Sequence, residues 1–224
     1  MKCLLKSADA EKITNYANTA RNAEVYVLAA NYLQNSDWHN DPEIMKTIIT
    51  FYSKAKAFEQ LSGFYDACAQ VEIDEYRDYE KALGAMKEAM KQLVKSNAVN
   101  KDEKVDMLQH RITIIEKFVS ARNFLKSEPH RMVQMCNELL ETNEVETAIR
   151  IGDVYAQLIE YYYGQSNSED AYHYLQKMRA SNIIITPYLD PEMVENIYSA
   201  MGISTKANPG NEEDEIGEEI GEDF

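Results

Sequence analysis

Apolar side chains recur along this chain at intervals of three and four residues rather than two. Met45, Ile48, Ile49 and Tyr52 fall on one face of a helix. Leu61, Tyr65 and Cys68 resume the pattern on a second helix, after a turn between Tyr52 and Leu61. The same seven positions return at the same spacing as Tyr155, Leu158, Ile159, Tyr162, Ala171, Leu175 and Met178, and a weaker copy runs through Ala10, Ile13, Ala17, Tyr26, Ala30 and Leu33. Each copy is a helical hairpin with an apolar face that only a neighbouring hairpin can cover. The pattern therefore predicts an all-α fold of hairpins stacked into a right-handed superhelical solenoid.

The punctuation between the apolar runs places the helix ends. Pro42, Pro129 and Pro191 each follow an acidic residue (Asp41, Glu128, Asp190), as expected where Pro occupies the first helical position and the acid caps free N–H groups. Asn100 with Glu103 has the form of a capping box, and Ser168 stands ahead of Glu169 and Asp170 as a further cap. Helices are predicted over 8–19, 21–34, 42–54, 57–70, 78–96, 101–127, 130–141, 145–163, 168–180 and 191–201. In the sixth, Val105, Leu108, Ile112, Ile115 and Val119 form one apolar face and Ile114, Phe118 and Leu125 a second, which predicts a helix held between two neighbours. No period-2 alternation supports a strand, and Ile183, Ile184 and Ile185, halted by Pro187, are expected to form a buried connector.

The hairpin spacing matches the tetratricopeptide (TPR) pattern of bulky, Leu, small and Tyr on helix A, then Ala, Phe and Ala on helix B. The copies are degenerate: Ile49 and Ile159 replace the small residue and Leu61 the first Ala. The expected organisation is a TPR-like solenoid over 1–203 followed by an acidic, disordered tail over 204–224, too polar to offset the entropy of ordering. Stacked hairpins bind other proteins rather than house reactions.

Charge narrows the partners further. The chain carries a formal −15, but 211–224 holds eight acidic residues and no Lys or Arg, so the rest carries only −7. A surface of this sign repels phosphate backbones, which argues against nucleic acid and anionic membrane as partners. No apolar run reaches the length of a membrane span. The three cysteines, Cys3, Cys68 and Cys136, are odd in number and far apart, which predicts reduced packing residues rather than disulfides or a metal site.

Chemistry-bearing constellations are scarce. The histidines His39, His110, His130 and His173 never fall within one helical turn of each other, and no HExxH, calcium loop, nucleophile elbow or phosphate loop occurs. The reading is a protein that is not an enzyme, with no cofactor, metal or small-molecule substrate. Candidate partner-binding positions remain. Tyr161 and Tyr163 flank the core-facing Tyr162; Lys87, Lys91 and Lys95 form a basic stripe, with Lys101 and Lys104 following; and Ile216, Ile220 and Phe224 punctuate the acidic tail as apolar anchors.

Longer strings carry a resemblance. FYDACAQVEIDEY at 64–76, AANYLQ at 29–34, PEIMK at 42–46 and IRIGDVY at 149–155 resemble the C-terminal TPR-like region of the intraflagellar transport protein 140 family, subunits of intraflagellar transport complex A. The likeness runs over most of 9–180 and extends to the acidic tail. It implies a non-catalytic scaffold of the particle that supports retrograde ciliary transport and ciliary entry of membrane proteins. The implied partners are other complex A subunits, and the implied location is the cilium or flagellum, the ciliary base and the cytoplasm. Family members begin with two WD40 propellers and a long solenoid, so this chain is expected to be the C-terminal part of a longer protein. The alternative is a freestanding TPR-type adaptor, either a co-chaperone or a coat-like component. A chaperone clamp, however, needs Lys and Asn side chains converging on a peptide carboxylate, and the two best repeats lack such a set.

Overall fold

The computed structural model describes residues 9–203 and, among them, contains helices and no strand. Ten α-helices follow in order: α1 (Ala10–Ala20), α2 (Ala23–Leu33), α3 (Pro42–Ala55), α4 (Phe58–Val71), α5 (Tyr79–Lys95), α6 (Lys101–Phe124), α7 (Pro129–Leu140), α8 (Ile151–Gly164), α9 (Ser168–Ala180) and α10 (Pro191–Ala200). Local chemistry sets most starts. The carboxylates of Asp9, Asp41, Asp78 and Asp190 each accept a backbone N–H of the first turn, and Asn22 does the same for α2. Two expected caps are not made. Asn100 sits in the left-handed region at φ 54° without a side-chain cap, and Glu128 precedes Pro129 uncapped. A third is displaced by one residue, because Asn167 rather than Ser168 accepts the amide of Asp170, at 3.1 Å.

The described residues form two compact units divided within α8, between Val154 and Tyr155. In the first unit, extensive packing joins each helix to the next from α1 to α7, the nearest-neighbour order of stacked hairpins. One core gathers Ile13, Ala17, Tyr26, Leu33, Ile48, Phe51, Tyr52, Leu61 and Phe64. Ala29 and Ala30 are fully buried there, small enough for close helix approach. Tyr52 ties two hairpins together: its hydroxyl donates to Asn31 Oδ1 at 2.6 Å and accepts from Gln34 Nε2 at 2.8 Å. Trp38, outside the apolar repeat, closes the α2–α3 loop by setting its ring edge-on to Phe64 at 5.0 Å. The two-faced reading of α6 holds at its centre: Leu108, Ile112, Ile114, Ile115 and Phe118 are buried, Val105, Val119 and Leu125 are half-buried, and the helix packs on both α5 and α7.

Where α4 ends, the helix widens into a π turn over Glu72–Tyr76, and Arg77 turns the chain through the left-handed region at φ 52°. A non-glycine residue there is strained, and surrounding polar contacts hold it. Tyr79, the first residue of α5 and 1% exposed, donates its hydroxyl to Asp153 Oδ2 at 2.6 Å. The same hydroxyl accepts the Arg150 amide at 3.3 Å, and Arg77 Nε lies 3.5 Å from the other Asp153 oxygen. Arg150 donates to the Asp74 carbonyl at 3.0 Å, and Arg122 to the Arg77 carbonyl at 3.3 Å. Asp153 is 8% exposed, so Tyr79 and Arg77 replace the water that its buried carboxylate loses. The result is a latch between the α4–α5 corner and the start of α8.

The expected helix over 145–163 is corrected by the same region. A 3-10 turn occupies Val145–Thr147, Ala148 leaves helical geometry at φ −120°, and α8 starts only at Ile151. Val145, Ala148 and Ile149 are all buried, so core packing overrides a continuous helix there.

In the second unit, α9 and α10 pack together, and the segment between them, 181–190, is mostly exposed or half-buried, with Leu189 alone among its ten residues buried. The isoleucine run is not a buried connector, since Ile184 is 72% exposed. Tyr162 is likewise only half-buried, stacked on Tyr174 with ring centroids 5.7 Å apart. Tyr65 of the first unit is half-buried too, and its neighbour Phe64 takes the core position instead.

Candidate protein-binding surfaces

No three His, Cys, Asp or Glu side chains converge in a metal-holding arrangement among the described residues, and no described helix is long and apolar enough to cross a membrane. Cys68 and Cys136 are buried free thiols, and burial pushes each up to about 12 from the usual 9.0. Burial likewise pushes the Tyr52 hydroxyl up to about 12 from 10.0, and drives Tyr79 upward with help from the Asp153 charge. All four groups bind their proton more tightly folded than unfolded. Their contribution is complete below the unfolded values and is lost as pH rises from about 9 towards 12, where only the unfolded chain can ionise them freely. Urea midpoints should therefore fall between pH 8 and pH 11. A midpoint that stays flat across that range would contradict the burial of these four groups.

The basic stripe lies along α5 and the start of α6, but its charges are largely spent within the chain. Lys87 pairs with Glu116 at 2.7 Å, Lys91 with Glu88 at 2.5 Å and Lys104 with Glu59 at 2.6 Å. Lys101 donates to the Val94 carbonyl. Lys95 has no carboxylate partner among the described residues, and its ammonium sits 6.0 Å from the Phe58 ring centroid. Such exposed pairs contribute little to stability, but they lower the attraction of the face for an acidic partner.

Beside that stripe, α4, α5 and α6 enclose a cleft of about 310 Å³. Ion pairs bridge its rim, Glu59 to Lys104 and Asp66 to Arg111, the latter at 2.8 Å. Leu93 and Leu108 lie within it, Met107 projects at 63% exposure, and a methyl group added at Gly63 would meet nothing within 4 Å. An apolar floor between neutralised charges accepts an apolar side chain of a partner rather than a charged one.

The tyrosine pair of α8 is not brought to one groove. Positions two apart point to different sides of a helix. Tyr161 meets the edge of Tyr162 at 5.1 Å, while the Tyr163 hydroxyl accepts Asn196 Nδ2 at 3.1 Å on α10. A second cleft, of about 290 Å³, opens between α9, the 183–190 segment and α10. Nothing in the apolar spacing pointed to it, because Arg179, Ile185 and Leu189 belong to the end of one helix and an irregular segment. Ile216, Ile220 and Phe224, with the whole acidic tail, lie outside the described residues.

Comparison with known families agrees with this architecture. Residues 59–179, more than half of the chain, match the family model for the C-terminal TPR domain of intraflagellar transport protein 140. Residues 1–51 match the model for a TPR domain common to intraflagellar transport proteins 140 and 172. The first match runs from α4 into α9 and so includes the π turn, the Tyr79 latch and the three-helix cleft.

Proposed function

We propose, from the premise that the chain belongs to the family of the intraflagellar transport protein 140 C-terminal TPR domain, that it is an assembly module of intraflagellar transport complex A. It acts through protein–protein contacts, supporting retrograde ciliary transport and ciliary entry of membrane proteins, and works at the cilium and its base. The family match over 59–179 is the observation that carries this reading. The fold suits it. Hairpins expose long faces without enclosing a reaction chamber, and the cleft rimmed by Glu59, Asp66, Lys104 and Arg111 offers an apolar seat with its charges already matched. Of the positions singled out in the sequence, Lys95 and Tyr161 are the ones we assign to partner contact. Lys87 and Lys91 are paired within the chain, and Tyr163 is bonded to Asn196.

The tagged chain, expressed in ciliated cells and recovered at physiological salt, should bring down complex A subunits. Met107→Asp places a charge on the apolar cleft and should reduce that recovery severalfold while circular dichroism stays unchanged, since Met107 is mostly exposed. Recovery of chaperones without complex A subunits would overturn the proposal in favour of a freestanding adaptor.

A further inference from the structure

We propose that the acidic segment from Glu215 to Phe224 docks back onto its own unit, in the cleft between α9 and α10. This rests on the cleft and not on the transport function proposed above. Ile185, Leu189, Pro191 and Val194 give the cleft an apolar lining, and about 290 Å³ has room for one or two side chains. At its edge Arg179 has no carboxylate within ion-pair distance among the described residues; its guanidinium lies instead over the Tyr198 ring, 5.1 Å from the centroid. Tyr198 is 5% exposed, and its hydroxyl has no hydrogen-bond partner among the described residues. A buried hydroxyl without a partner is costly. The site thus offers an apolar slot beside a guanidinium that no carboxylate among the described residues pairs with, and it calls for a ligand carrying an apolar side chain next to a carboxylate.

The chain's own end has that chemistry. Ile216, Ile220 and Phe224 stand four residues apart, each preceded by a carboxylate residue: Glu215, Glu219 and Asp223. A spacing of four puts all three on one side in a helix and equally in an extended strand, so the match does not depend on which conformation is bound. Glu195 on the rim repels the segment. Arg179 therefore decides the side on which a carboxylate is accepted. Reach is ample. The stretch 204–215 spans up to about 40 Å when extended, whereas α10, which lines the cleft from Pro191 to Tyr198 and whose end leads towards that stretch, has ten residues and a length of about 15 Å. The short tether keeps the local concentration of the segment high, so weak contacts suffice for substantial occupancy.

Hydrogen exchange of the full chain tests this against the variant Ile216→Ser/Ile220→Ser/Phe224→Ser, whose changes all lie outside the described residues. Amides of 185–198 should exchange about threefold faster or more in the variant, as for a segment docked two thirds of the time, while those of α1 and α2 stay unchanged. Arg179→Gln should accelerate the same amides at low salt and have a smaller effect at high salt, where the attraction is already screened. A photoreactive benzoylphenylalanine in place of Phe224 should crosslink within the chain to 179–198 at dilute protein. Unchanged exchange in the triple variant would overturn the proposal, and crosslinks formed only between chains would replace it with association of two copies.

Discussion

Replacing Tyr79 by Ala should destabilise the first unit by about 5 kcal/mol, and it should be the most damaging single tyrosine truncation in the chain. Two losses add. The ring is 1% exposed and meets Phe118 edge-on at 4.8 Å, so its removal opens a cavity of aromatic size. Truncations of that kind cost about 3 to 5 kcal/mol. The hydroxyl is also the shortest contact of the buried Asp153 carboxylate, at 2.6 Å, and Arg77 at 3.5 Å only partly substitutes for it. Leaving a buried acceptor without its donor adds about 1 to 3 kcal/mol. Tyr79→Phe keeps the ring and isolates the second loss, so urea unfolding of the pair apportions the two. If Tyr79→Phe matches the parent chain within about 0.5 kcal/mol, the latch through Asp153 contributes nothing, and the arrangement of the α4–α5 corner needs another cause.

The second large effect separates two tyrosines that the repeat pattern treats as equivalent. Tyr52→Ala should cost about 3 to 5 kcal/mol, because the ring is 1% exposed and its hydroxyl joins Asn31 and Gln34 across the hairpin boundary. Tyr162→Ala, at the matching position of the later copy, should cost only about 1 to 2 kcal/mol. Its ring is half-buried and rests against Tyr161 and Tyr174 rather than in a closed core. Thermal or urea unfolding of the two variants settles the order. Equal losses would mean that the positions share one environment after all. The same contrast holds one helix later, where Phe64 is 1% exposed and Tyr65, the position in register with the apolar pattern, is half-buried.

Burial at these positions is not set by periodicity. The seven-position pattern located the hairpins because helix periodicity is a local property: residues three and four apart share a face whatever surrounds them. The Asp41 and Asp190 caps were legible for the same reason, since cap and amide lie two or three residues apart. Capping failed as a guide at Asn100, where the backbone takes the left-handed region and turns the side chain from its role. The family was legible too. The string at 64–76 covers most of α4 and the whole π turn.

The candidate surfaces were less legible. Lysines at four-residue spacing are visible in one dimension, but their neutralisation by Glu116 and Glu59 joins different helices, from α5 to α6 and from α6 to α4. Both clefts are likewise products of several elements, and neither has a periodic signature. What the sequence determined by itself is the helical hairpin order, most of the helix starts, the acidic balance and the family. What only the tertiary structure decided is which of two equivalent tyrosines is sealed, where the helix over 145–163 breaks, and how Tyr79 finds Asp153 across 74 positions. The physical reason is that periodicity says which face of a helix is apolar, whereas burial, pairing and pKa depend on what other elements place over that face.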